Sequence, residues 1–162
     1  MSDATHLSLS ELRAQRSALQ RQEDAVSFVR RLTQGRIDLV HDEERRRAAN
    51  APAPSGTLTE RLANVFGQEH GGGSSRPPRE TNISAEHPLF VELETLCQEI
   101  SFGELRTLDD QSLENVVQQL SRFEVSQSIE RKALFASIDA LTTQLVKRYK
   151  DDGVNVDSLL AD

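Results

Sequence analysis

The chain has 162 residues, enough for one domain of ordinary size, and it is 28% charged and 4% aromatic with no Trp. That is thin material for a large globular core, and it suits long helices. A formal net charge of −7 argues against non-specific nucleic-acid binding over the whole surface. A local basic site survives, because Arg13 to Arg36 holds six Arg against only Glu23 and Asp24. Cys97 is the only cysteine, so no intrachain disulfide and no thiolate metal cluster is expected. The opening MSDATHLSLSEL has no basic leader ahead of an apolar run, so it does not read as a secretory signal. No apolar stretch approaches membrane-spanning length. A cytosolic protein is the expectation.

Residues 1–7 are expected to fray. Ser8 and Glu11 form a capping box, so a first long helix is predicted over 8–49. No Pro and only Gly35 interrupt it before Asn50. That gives about 41 residues, or roughly 60 Å. Its end, HDEERRRAAN, reads as a solvated tail. Leu19, Val26, Val29, Thr33, Ile37 and Val40 make one apolar row, and Phe28, Leu32 and Leu39 make another on roughly the opposite side. A two-helix seam needs one row, so the second marks a further surface, inside the chain or on a partner.

Residues 50–85 read as a linker. APAPSG opens it, and Thr57 with Glu60 starts a short amphipathic segment over 57–66, with Leu58, Leu62, Val65 and Phe66 on one face. Too short to hold alone in water, that segment must dock to be ordered. GQEHGGGSSRPPRETNIS is a flexible tether. Its triple Gly lacks the Lys-Ser/Thr of a phosphate loop. Pro88 suits a first helical turn, and Leu89, Leu93, Leu96 and Ile100 predict a helix over 86–102, with a break at Gly103. Cys97 lies in that apolar row and reads as core.

Asp109 and Asp110 open a second long helix, predicted over 109–152, with Gly153 as its cap and a loose tail over 153–162. Its seam is Val116, Leu120, Phe123, Gln127, Glu130, Leu134, Ile138, Leu141 and Leu145. The steps are heptad-like with one adjustment. The fold expected is all-α: two long helices paired as an antiparallel coiled-coil hairpin, with one or two short helices and a flexible linker.

The two long helices share a repeated stripe. EDAVSFVRRLTQGRID, from Glu23 to Asp38, reappears 101 positions on as EVSQSIERKALFASID, from Glu124 to Asp139. Glu23, Ser27, Arg30 and Asp38 answer Glu124, Ser128, Arg131 and Asp139. Gln34 is answered by Phe135. On a helix these offsets fall within a stripe roughly 80° wide and roughly 22 Å long. At about 6% usage per residue type, four fixed positions match about once in 10⁵ starts, so a chance duplication is a poor explanation. For one copy alone, solvated intrahelical pairs worth a few tenths of a kcal/mol are the ordinary reading. Two copies favour a ligand. Carboxylates accept from the N–H groups on the Watson–Crick edge of guanine, Arg reads its O6 and N7 or stacks on the ring, and Ser donates to phosphate. A ligand answering two copies should itself be two-fold, as cyclic di-GMP is.

The pattern E-x3-S-x2-R-x3-Q-x3-D, once on each long helix, resembles the signature of the RsiG family of actinobacterial anti-sigma factors. The flanking LTQGRIDLV and ERKALFASIDALTTQLVKR, and the run LRTLDDQSLENVV, share that resemblance. It implies an antiparallel coiled coil that binds cyclic di-GMP, as an intercalated dimer, at Glu23, Ser27, Arg30, Gln34, Asp38, Glu124, Ser128, Arg131 and Asp139. It implies that the loaded protein clamps a sporulation or flagellar-type sigma factor, WhiG-like, and keeps it from RNA polymerase. One chain supplies both motifs, so a monomer is expected before the partner binds, with no direct nucleic-acid or membrane partner. Phe28, Leu32, Leu39, Leu62, Phe66 and the 89–100 helix are candidates for the sigma contact. His6, His41, His70 and His87 are scattered, and no nucleophile–base motif is visible. No catalytic residue, metal or cofactor is therefore expected. The competing class is a coiled-coil adaptor without a small ligand.

Overall fold

The computed structural model describes residues 7–58, 60–61 and 83–159. The described residues form helices and turns without strands. In chain order they are α1 (Leu9–Ala48), α2 (Pro88–Glu99), a 3-10 turn (Phe102–Glu104) and α3 (Asp110–Leu159). Most of the predicted 57–66 segment, with Leu62 and Phe66, and most of the tether lie outside the described residues.

Each element starts where side-chain chemistry satisfies its first N–H groups. At α1, Ser8 Oγ accepts from the Glu11 N–H at 3.3 Å, and Glu11 Oε2 accepts from the Ser8 N–H at 2.7 Å. The Ser8 N–H and hydroxyl hold the Glu11 carboxyl below its ordinary pKa. Thr57 and Glu60 repeat that exchange at 3.3 and 2.8 Å. Pro88 sits in the first turn of α2, but the cap is His87, whose Nδ1 accepts from the Leu89 N–H at 3.3 Å. At α3, Asp109 Oδ1 accepts from the Ser112 N–H at 2.7 Å.

The ends are less regular. α1 stops at Asn50, which takes the left-handed conformation at φ 49. The Ala51 N–H reaches the Arg46 carbonyl and the Asn50 N–H the Arg47 carbonyl, both at 3.0 Å, which closes the last turn. α2 ends at Glu99, ahead of the break expected at Gly103, and the left-handed residue after it is Ser101, at φ 53. α3 runs through Gly153 to Leu159, past the predicted cap. A lone Gly costs a helix about 1 kcal/mol against Ala, and no Pro follows to stop it.

The chain divides into two compact units: residues 25–128, and residues 1–24 with 129–162. In the first, Val29, Leu39 and Val40 of α1, Leu93 and Cys97 of α2, Phe102 and Leu105, and Leu113, Val116, Leu120 and Phe123 of α3 make one buried core. Phe28 and Leu32 pack against it. The second apolar row of α1, expected to face a further surface inside the chain or on a partner, packs within the chain, with Leu39 only 1% exposed. Cys97 is core as expected, and burial pushes its thiol pKa up.

Two buried charges in this unit went unread in the sequence. Arg36 is buried, donates to Cys97 Sγ at 2.8 Å, pairs with the Glu94 carboxylate and lies 5.6 Å from the Phe102 ring centroid. It fastens α2 to α1. Glu43, in the stretch read as a solvated tail, is 1% exposed. Its Oε1 accepts from Arg46 at 2.6 Å and from Arg47 at 2.9 Å. These contacts, the Arg46 hydrogen bond foremost, pull its pKa from 4.5 to about 2. Burial of that carboxylate is tolerable because both guanidiniums go with it. Arg47 also reaches Asp110 Oδ1 and the Leu105 carbonyl, each at 2.9 Å.

The other unit buries Leu12, Leu141 and Leu145, with Leu7, Leu9 and Leu19 packed on them. Leu134 and Ile138 are also buried. Arg13 donates to the Tyr149 hydroxyl at 2.7 Å and stacks 5.3 Å from its ring centroid. Glu130, expected in the α3 seam, is exposed, and Arg131 is the half-buried residue of that turn. Either position can face inward in a seven-residue step from Gln127 to Leu134. Arg131 wins because the group it meets is the Glu23 carboxylate, which a second carboxylate would repel.

Candidate functional site

Both motif stripes fall inside unbroken helix, so their five positions share one face of α1 and one face of α3. Intrahelical pairing of acid and guanidinium, the ordinary reading of one copy alone, does not describe the arginine–glutamate contacts. Each motif's arginine reaches the glutamate of the other motif.

In the 25–128 unit the acceptor is Glu124. Its Oε1 takes hydrogen bonds from Arg30 Nη1 at 2.9 Å, Ser128 Oγ at 3.0 Å and Gln34 Nε2 at 3.2 Å. Glu124, Arg30 and Ser128 stand at motif places that both copies fill with the same residue type, and Gln34 is the one donor that only the first copy has. The Arg30 and Glu124 side chains are 24% and 18% exposed, sheltered enough for the pair to exceed a surface ion pair. Arg30 Nε is buried without a hydrogen-bond partner, so the guanidinium fork has unspent donor capacity.

In the other unit the acceptor is Glu23, whose Oε1 takes a hydrogen bond from Arg131 Nε at 2.9 Å. Phe135 occupies the place corresponding to Gln34. It makes no amide contact. Its ring lies 4.7 Å from the Arg131 guanidinium carbon, and it is 40% exposed. The first copy thus supplies a neutral donor where the second supplies an aromatic face.

Ser27 and Ser128 are half-buried in their helices, while Asp38 and Asp139 are exposed. The Asp139 backbone carbonyl accepts from Thr143 Oγ1 at 3.0 Å. Chemically, the described groups offer guanidinium forks for acidic or purine acceptors, hydroxyl donors, and outward carboxylates able to accept from N–H edges. The spacing of the motif foretold which residues share a face. It did not foretell the exchange of partners between copies, because that depends on the register of α1 against α3.

A family model described as RsiG-like matches residues 1–66. The match contains the first motif in full and stops before α3, which carries the second. No curated protein matches the chain.

Proposed function

The chain is RsiG-like over residues 1–66, and from that premise we propose that it is an anti-sigma factor that binds cyclic di-GMP and, when loaded, sequesters a WhiG-like sigma factor from RNA polymerase. The ligand-binding residues in this reading are Glu23, Ser27, Arg30, Gln34 and Asp38 with Glu124, Ser128, Arg131 and Asp139. The observation that carries it is the partner exchange of Arg30 with Glu124 and Arg131 with Glu23. A duplicated motif whose arginines cross between copies suits a ligand that is itself two-fold. The order of the pairs supports an antiparallel coiled coil: within 25–128, position 30 meets 124 and position 47 meets 110.

The nucleotide adds charge to a protein already at −7. The Arg excess between Arg13 and Arg36 and a basic surface on the sigma factor share that charge. Ligand then favours the complex over the free chain by binding the complex better, and the partner raises ligand affinity by the same factor. The ligand acts from the cytosol on a monomer, without direct contact to nucleic acid.

A pull-down from native cytosol, with and without added cyclic di-GMP, tests the proposal. Ligand-dependent capture of a sigma factor is expected. Equal capture with and without nucleotide, together with no calorimetric heat on titrating the chain with it, would leave the second reading, a coiled-coil adaptor with no small ligand. One observation favours that alternative: each motif's arginine already has the other motif's glutamate as a hydrogen-bond partner.

A further inference from the structure

The two motifs differ at one place, and the difference has a geometry. Gln34 spends its amide on the Glu124 carboxylate at 3.2 Å. Phe135 turns instead onto the arginine of its own helix, with 4.7 Å between the Arg131 guanidinium carbon and the ring centroid. Arg131 is also fixed by its Nε donation to Glu23 at 2.9 Å. Contacts of two different kinds therefore hold this guanidinium in place. Phe135 as a residue remains 40% exposed, with the guanidinium lying over one face of its ring. A part-exposed aromatic ring with a cation held against it is what a planar, electron-rich base stacks on.

We propose that Phe135 and Arg131 form a purine-stacking platform that makes the second motif a stacking site, distinct from the hydrogen-bonding site built on Gln34. The inference rests on the nucleotide reading given above and goes beyond it. It assigns Phe135 as the residue that makes the two sites unequal. The first site holds the base edge through polar donors. The second holds the base face, so its affinity depends less on salt, because stacking is screened less than charge–charge attraction.

The plainer account of the same contact is a helix-stabilising pair four residues apart on α3, and the test separates the two. The chain contains no Trp, so Phe135→Trp installs a single reporter at the platform. Cyclic di-GMP is expected to quench its emission at least about twofold, as an overlying guanine should, while pyrophosphate, which carries the charge without the ring, leaves it unchanged. Calorimetry of the wild-type chain is expected to resolve two unequal binding classes. Phe135→Leu, which keeps apolar bulk and loses the ring, should weaken one class by about 5- to 100-fold. Phe135→Gln should merge the two classes into one. Wild-type binding with equal classes, or an emission unaffected by cyclic di-GMP, overturns the platform and leaves the nucleotide reading standing. Absence of any wild-type binding, by the free chain and in the presence of the captured sigma factor, overturns both.

Discussion

Arg30 of α1 donates to Glu124 of α3 at 2.9 Å, and the same carboxylate oxygen also receives Gln34 and Ser128. One acceptor thus gathers three donors from two helices. Glu124→Ala strands these donors in a half-buried setting, which costs about 1–3 kcal/mol. Urea unfolding of Glu124→Ala, Arg30→Ala and the double variant should give a coupling energy above about 0.5 kcal/mol. Additive effects would mean that the pair is a surface contact of no consequence.

Asp38 offers the opposite behaviour. Its side chain is exposed, so Asp38→Ala should change stability by less than about 0.5 kcal/mol. The proposed function nevertheless gives it a guanine edge to accept from. Loss of nucleotide-dependent sigma capture with an unchanged circular dichroism spectrum is the expected outcome. Undiminished capture would remove Asp38 from the site.

Glu43 makes stability depend on pH in a definite window. Its folded pKa of about 2 lies below its ordinary value of 4.5. A depressed carboxylate contributes stability that is complete above the unfolded pKa and is lost as pH falls through the folded one. The contribution should therefore fade between pH 4.5 and about 2. Its full size is on the order of a few kcal/mol, since each pKa unit is about 1.4 kcal/mol. Glu43→Gln should flatten the urea midpoint against pH across that window while lowering stability at neutral pH. A parallel profile for the variant would show that other carboxylates carry the acid lability.

Ser101 holds a left-handed backbone at φ 53 and ψ 37. An L-residue pays about 1–2 kcal/mol there. Ser101→Gly removes that strain but frees the unfolded chain, so a net gain of about 0.5 kcal/mol is expected. Ser101→Val should lose more than about 1 kcal/mol, because a β-branched residue fits that region poorly. Thermal melts of the two variants moving in the same direction would contradict this account.

What could be read beforehand was local. The boxes at Ser8–Glu11 and Thr57–Glu60, the Asp109 start and the spacing of Val116, Leu120 and Phe123 each carry their own physics within a turn or two. What escaped was set by tertiary partners. Glu43 looked solvated in HDEERRRAAN because only the packed core shows that its carboxylate is covered. Arg36 lay between motif residues Gln34 and Asp38, yet it turns toward Glu94 and Cys97 on α2. His87 capped α2 where Glu86 was expected to begin it. The motif residues themselves were legible, and their crossed pairing was not, since a one-turn shift of α1 against α3 would have produced other partners.

Arg47 touches Glu43, Asp110 and the Leu105 carbonyl. One side chain therefore staples the last turn of α1 to the first turn of α3. Everything threaded between them leaves and returns at the same clasp. Adding residues to such an excursion costs little, about 0.6 kcal/mol for each doubling of its length. The register that matches Arg30 with Glu124 is therefore held at this end by a contact between α1 and α3 themselves.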